Sequence, residues 1–528
     1  MTDTDHARAS SAPDPEAEAV RDPRWSWGLR IAGLLGAVIV WLLLGGQEGL
    51  TPEGRAVAAV ATLMAIWWMT EAIPLAATSL LPIVLLPLLA GRSVSQATAP
   101  YANPIVYLFL GGFLIAIAMQ KWQLHRRIAL MTLVRVGVQP RRIVLGMMLA
   151  TGFLSMWVSN TATTLMMLPI GLSILTLVVE RSRATSQGAE VGADLHAGGR
   201  IAEVIADPQI RAFGVCLVLA IAWSASIGGL GTLLGSPPNA IVAAYLSDSL
   251  GKEVGFLQWM LLGAPLALVF ILIAWVLMTQ LLYRFRLAEI PGGRAMIDEQ
   301  IAGLGPMSQG ERMVLWVFLG AAFLWIVPGL LSDITGIEAL GSLDDTAIAI
   351  AAGIALFLLP GDRGGRMVLD WKTAQQDLPW GVLLLFGGGL SLASAVAATG
   401  LDGWIGAQVE GLGSLSLIVI LICVVTLVIF LTEVTSNTAT AATFIPVLGG
   451  VAQGIGVDAT TLLIPTALAA TCAFMLPVGT PPNAIVFGSG AVTIGQMARG
   501  GIVLNVVGVI LITLFTYLLG GLAFGIVL

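Results

Sequence analysis

Charged residues make up only 11% of the 528 positions, against 57% that are hydrophobic. A soluble domain carries about 25% charge, so a globule wetted by water is excluded. The charges that exist are clustered, and long apolar runs separate the clusters, at 31–44, 57–68, 257–282 and 503–528. Runs of ~20 residues match a hydrocarbon core of roughly 30 Å at ~1.5 Å per helical residue. About 11 such segments can be counted along the chain, which predicts an all-α polytopic membrane protein.

Cysteine and histidine are also scarce. Cys216, Cys423 and Cys472 lie scattered in apolar stretches, which excludes a disulfide framework or a thiolate metal site and leaves them as small core residues. His6, His125 and His196 are too far apart to suggest a cluster. There is no basic stripe, so nucleic acid is excluded as a partner. The polar tail at 1–25 lacks the basic start and adjoining apolar core of a cleaved signal and reads as disordered and cytoplasmic. Lys121, Arg126, Arg127, Arg135, Arg141 and Arg142 form a basic patch, which the positive-inside rule puts on the cytoplasmic side. Beyond it the bases stop. No Lys or Arg occurs between Arg142 and Arg181, between Arg211 and Lys252, or between Lys372 and Arg499.

Those three windows hold the four broken motifs of a duplication. Ser159-Asn160-Thr161-Ala162-Thr163 recurs as Ser436-Asn437-Thr438-Ala439-Thr440, 277 residues later. At the same spacing Phe109, Gly111, Gly112 and Ala116 match Phe386, Gly388, Gly389 and Ala393, and Pro169 matches Pro446. Gly235-Ser236-Pro237-Pro238-Asn239 recurs as Gly479-Thr480-Pro481-Pro482-Asn483 at an offset of 244. The polar loop at 180–211 is the natural place for the 33 extra residues of the first half.

Each motif predicts a break in a helix. Three adjacent polar side chains cost several kcal/mol in hydrocarbon unless satisfied, and Asn and Ser favour caps and turns. Double prolines end one helix and suit the first turn of the next. A break presents N–H groups that attract an anion and carbonyls that attract a cation. With no basic side chain nearby, an anion bound there must be balanced by helix N-termini and a bound cation. Neutral hydroxyl, amide and carbonyl oxygens suit an alkali ion and suit soft transition metals poorly. The glycine pairs Gly111-Gly112 and Gly388-Gly389 read as re-entrant hairpins at 103–122 and 375–401, with ordinary helices packed through glycine faces as the alternative. Glu433, inside an apolar segment, is a candidate to bind a cation, relay a proton or cap a half-helix. Glu71 reads equally as a residue of the membrane boundary.

With both Ser-Asn-Thr motifs, both double-proline motifs and the stretch Trp68-Met69-Thr70-Glu71-Ala72-Ile73-Pro74, the chain resembles the divalent anion/sodium symporter (DASS) family from about residue 50 onward. That family includes the INDY-type dicarboxylate and citrate carriers. The resemblance implies about 11 transmembrane helices with two opposed re-entrant hairpins, an inverted repeat, a homodimer and elevator motion. It implies a tail (1–25), scaffold helices (26–100), first-repeat transport elements with a hairpin and two broken helices (101–250), scaffold and connector (251–372), and second-repeat transport elements with a C-terminal helix (373–528). It puts substrate carboxylates on Asn160, Thr161, Ser236, Asn437, Thr438 and Thr480. One sodium site is implied at Ser155, Ser159, Asn160 and the Gly235 carbonyl, its counterpart at Thr432, Ser436, Asn437 and the Gly479 carbonyl.

The expected activity is sodium-coupled symport of a small dicarboxylate, such as succinate, malate or fumarate, across a prokaryotic inner membrane. Sulfate or citrate transport and sodium-independent exchange are alternatives within the same fold. An anion channel is the alternative of another class, though the charged rings common in channels are missing. No Ser/His pairing or His-Glu-x-x-His motif supports an intramembrane hydrolase, so no enzyme is expected.

Overall fold

The computed structural model describes residues 23–137, 139–182, 201, 205, 207–287, 293–335 and 343–527. The expected tail, up to residue 22, and most of the polar loop at 180–211 lie outside the described residues. Eight described helices are long and apolar enough to cross a membrane, and four shorter apolar helices accompany them.

The chain opens with α1 (Pro23–Leu43), α2 (Pro52–Thr70) and α3 (Leu81–Leu89). The helices α4 (Pro104–Lys121), α5 (Leu124–Val136), α6 (Pro140–Ser155), α7 (Asn160–Ser182), α8 (Pro208–Gly228) and α9 (Pro237–Leu250) complete the first half. Between the halves run α10 (Phe256–Leu277), α11 (Gly293–Leu304), α12 (Gln309–Thr335) and α13 (Asp345–Leu358). The second half contains α14 (Trp380–Ala398), α15 (Leu401–Gln408), α16 (Leu417–Thr432), α17 (Asn437–Gly454), α18 (Thr460–Thr471), α19 (Pro481–Gly488) and α20 (Ile494–Phe524). The 277-residue offset carries α6 onto α16 at both ends and the start of α7 onto the start of α17. The 244-residue offset carries the start of α9 onto that of α19.

The glycine pairs do not make hairpins. α4 runs unbroken through Gly111-Gly112, and α14 through Gly387-Gly388-Gly389. These glycines serve close packing instead. A Cβ on Gly111 would sit 2.5 Å from the Ala349 backbone of α13, and one on Gly388 would sit 2.5 Å from the Ser79 carbonyl. Helices in lipid gain stability from such backbone approach, so the sequence pattern that suggests a tight turn also suits a packing face. Gly111→Ala is therefore expected to destabilise the protein by about 1–3 kcal/mol through overpacking, seen as a lower melting temperature with the response to sodium unchanged.

The hairpins lie at the Ser-Asn-Thr motifs. α6 ends at Ser155, a short turn follows, and α7 starts at Asn160. Gly152 of α6 and Gly171 of α7 both close on the C-terminal half of α8, against Ser224 and Gly228 in one case and Leu217 and Ile221 in the other. The two arms thus fold back beside a single helix. In the second half α16 and α17 likewise both pack on α18. α8 is buried on nearly every face, whereas α1 turns Trp27, Ile31, Leu35 and Leu42 outward. An apolar outer surface over a buried helix is the arrangement of a bundle solvated by lipid. Of the three cysteines, Cys216 and Cys472 are buried, while Cys423 faces outward.

The two halves interlock. α9 packs against α17 and α18, and α19 packs against α7 and α8. Each helix that follows a double proline therefore lies on the hairpin assembly of the other half.

Glu71 ends α2 in the left-handed conformation at φ 49° and is exposed. Its place is a helix terminus, well away from the motifs in the chain.

Candidate anion and cation site

Asn160 and Asn437 are the first residues of α7 and α17, so their N–H groups and those of Thr161 and Thr438 have no intrahelical acceptor. Both asparagine side chains turn back into the break. Ser155 Oγ donates to Asn160 Oδ1 at 2.7 Å, and Thr432 Oγ1 donates to Asn437 Oδ1 at 2.9 Å. The same end of the Asn160 amide lies 3.0 Å from the carbonyl oxygens of Ala225 and Gly235. In the second half the Asn437 amide lies 3.0 Å from Gly479 O and 3.1 Å from Ala470 O.

These two clusters allow two arrangements of the amide. With the amide oxygen turned inward, carbonyl oxygens face it with no hydrogen between them. With the amide nitrogen turned inward, its hydrogens serve the surrounding oxygens, and Thr432 Oγ1 passes its own hydrogen to Ala470 O. A hard cation bound among the oxygens resolves the first arrangement completely, because neutral oxygen donors are its natural ligands. The residues fit an alkali ion in both halves.

Six of the expected cation ligands gather in this way: Ser155, Asn160 and Gly235 in one cluster, Thr432, Asn437 and Gly479 in the other, with the asparagines at each centre. The side chain of Ser159 is placed otherwise. Ser159 Oγ accepts from Ala162 N at 3.3 Å, capping the first turn of α7. Ser436 is the residue before α17, and its carbonyl accepts from Thr440 N at 2.9 Å. The sequence reading missed Ala225 and Ala470, which contribute only carbonyl oxygens. Side-chain chemistry cannot flag a main-chain ligand.

Three of the candidate anion residues, Thr161, Thr438 and Thr480, are hydroxyls without competing bonds. Among the described residues no hydrogen bond engages the side chains of Thr161, Thr438 or Thr480. Ser236 Oγ lies 3.0 Å from Thr471 Oγ1, which joins the start of α9 to the end of α18 across the two halves. Ser236 and Thr480 precede α9 and α19 with extended backbones and do not cap their helices. The prolines that follow lack N–H groups. The free backbone donors expected at these two termini are accordingly reduced, and the hydroxyls remain as the donors to an anion. At α7 and α17, by contrast, both N–H groups and hydroxyls remain.

Asn239 and Asn483 hold the breaks in shape. Asn239 Nδ2 donates to Gly229 O at 2.9 Å and Thr232 O at 2.8 Å. Asn483 Nδ2 donates to Ala473 O and Leu476 O, both at 3.0 Å. All three positions correspond at the 244-residue offset, so the repeat extends to individual hydrogen bonds. Among the described residues no cluster of His, Cys, Asp and Glu could hold a transition metal.

An apolar bundle with chain breaks at matched positions in two halves, each break lined by neutral oxygens, defines a multi-span membrane transporter. The chain belongs to the sodium:sulfate symporter family, whose transmembrane region matches residues 26–525. It is 42% identical over 506 residues to the sodium-dependent dicarboxylate transporter SdcS of Staphylococcus aureus, covering 95% of this chain and 93% of that one. The protein of the same name from Staphylococcus saprophyticus is 40% identical over 494 residues, covering 93% and 91%. Among solved structures the chain resembles the YdaH transporter of Alcanivorax borkumensis, with a TM-score of 0.51, 13% identity and coverage of 90% and 99%. That likeness concerns the fold alone.

Proposed function

We propose that this protein is a sodium-coupled symporter of small dicarboxylates such as succinate, malate and fumarate, working in the bacterial plasma membrane. The observation that carries the reading is the pair of oxygen clusters around Asn160 and Asn437, in windows of sequence that contain no Lys or Arg. A doubly charged anion beside those clusters needs cations to balance it, and the cations must travel with it. The printed names of the relatives, sodium-dependent dicarboxylate transporters, agree.

In this reading sodium is cargo held by Ser155, Asn160 and the Ala225 and Gly235 carbonyls, and by Thr432, Asn437 and the Ala470 and Gly479 carbonyls. The substrate carboxylates take hydrogen bonds from Thr161, Thr438, Ser236 and Thr480, and from the N–H groups that open α7 and α17. Eleven spans result when α8 with α9, and α18 with α19, each count as one broken span. The hairpins α6–α7 and α16–α17 are re-entrant and related by inversion. They move with the broken helices as one unit past a scaffold of α1–α4 and α12–α14, through which two copies dimerise.

The test is uptake of radiolabelled succinate into proteoliposomes. An inward sodium gradient is expected to drive accumulation above the external concentration, and replacement of sodium by choline is expected to reduce uptake to the level of empty vesicles. Equal uptake in the two salts removes the coupling. Competition by unlabelled malate, fumarate, citrate and sulfate then orders the substrates, with the four-carbon dicarboxylates expected to compete best.

A further inference from the structure

The turn of the second hairpin contains a carboxylate that the first lacks. At the 277-residue offset Glu433 corresponds to Met156. Glu433 is only 3% exposed. Its Oε1 accepts from Phe474 N at 2.7 Å, Met475 N at 2.9 Å and Asn505 Nδ2 of α20 at 2.7 Å. Its Oε2 accepts from Met475 N and Leu476 N, both at 3.0 Å. Every partner is a donor, which is the setting of an ionised carboxylate. Among the described residues no Lys or Arg forms an ion pair with it. The first hairpin makes the corresponding link from the Met156 carbonyl, which accepts from Thr232 Oγ1.

The carboxylate sits where it bears on the second oxygen cluster in two ways. Thr432, its neighbour in sequence, supplies a cluster oxygen that also lies 3.0 Å from Ala470 O. Glu433 then grips residues 474–476, the stretch between the Ala470 and Gly479 carbonyls of the same cluster. Asn483 grips the carbonyls of Ala473 and Leu476 in that stretch. The cluster geometry is therefore fixed by side chains on both of its edges. A full negative charge also lies one residue from the cluster, in surroundings of low dielectric where charge acts strongly. Nothing equivalent adjoins the Asn160 cluster in sequence.

We propose that Glu433 is a positioning residue that makes the Asn437 cluster the tighter of the two sodium sites and the first to fill. This rests on the reading that both clusters carry sodium. The first site, without a neighbouring charge, is the weaker one and sets the sodium concentration at which transport becomes cooperative.

The experiment uses the full-length protein in proteoliposomes, with radiolabelled succinate as the probe and uptake measured against sodium concentration. Glu433→Gln keeps the shape and removes the charge. It is expected to raise the half-saturating sodium concentration about tenfold or more, while the KM for succinate at saturating sodium stays within about twofold. The double variant Glu433→Gln with Asn505→Asp returns a carboxylate to the same contact and is expected to restore the sodium curve to within about threefold of the parent. A parent-like sodium curve for Glu433→Gln overturns the proposal, as does an equal rise in the succinate KM. Should Glu433→Gln fail to fold, the double variant decides alone, a tenfold shift of its sodium curve being the overturning result. Thr432→Val separates the two levels. If it shifts the sodium curve and Glu433→Gln does not, only this inference falls. If Thr432→Val also leaves the curve unchanged, the assignment of sodium to the cluster falls with it.

Discussion

Asn437→Leu is expected to abolish the sodium-induced rise in melting temperature of the detergent-solubilised protein, whereas Asn437→Asp is expected to retain it. The two substitutions separate two roles that the geometry allows for the amide. If the amide nitrogen faced Thr432 Oγ1, Ala470 O and Gly479 O as a donor, aspartate would remove the donor and set a charge against two carbonyls. Both variants would then fail alike. If the amide oxygen faces a cation together with those oxygens, aspartate keeps the ligand atom and adds attraction, and leucine alone loses it. The size of the effect follows from linkage. Sodium at about 100 times its dissociation constant stabilises the folded state by about 2.7 kcal/mol, and that increment vanishes when the site is lost. Leucine also leaves buried oxygens without a partner, at about 1–3 kcal/mol each. The corresponding Asn160 variants are expected to show the same contrast.

The second large effect concerns the anion. Thr161→Val and Thr438→Val delete one hydroxyl each while preserving shape, and each is expected to raise the KM for succinate about 10- to 100-fold. A hydrogen bond to a charged group contributes about 1.5–3 kcal/mol, and each 1.4 kcal/mol is tenfold in affinity. No guanidinium or ammonium stands in reserve, because the sequence windows that build the site contain none. If the two hydroxyls serve different carboxylates of one substrate, the double variant is expected to lose close to the product of the two effects. The sodium-induced melting shift measured without substrate is expected to survive both changes, since neither hydroxyl belongs to an oxygen cluster. A KM within twofold of the parent for both variants removes these residues from the anion site.

Much of this site was legible because its chemistry is written in side chains. Three adjacent polar residues in an apolar run cannot sit in a plain lipid-facing helix, so Ser159-Asn160-Thr161 and Ser436-Asn437-Thr438 had to mark breaks. The pairing of Ser155 with Thr432 followed from the repeat, and the structure brings each to its asparagine. The glycine pairs misled for a physical reason. Glycine permits a turn and also permits helices to touch, and the choice depends on what packs opposite, here Ala349 and Ser79. Glu433 was visible as a charge in an apolar segment, yet its partners are backbone N–H groups some 40 residues away and one asparagine from α20.

The sequence by itself determined the membrane class, the duplication, the places where helices must stop and the neutral character of the site, because composition, repetition and local backbone preference are properties of the chain. Only the tertiary structure decided that the Ser-Asn-Thr breaks are hairpin turns, that carbonyls of Ala225 and Ala470 complete the oxygen clusters, and that each half rests on the hairpin of the other. Those outcomes depend on which surfaces meet in space. A carbonyl oxygen or a glycine face carries no mark in the sequence of what lies across from it.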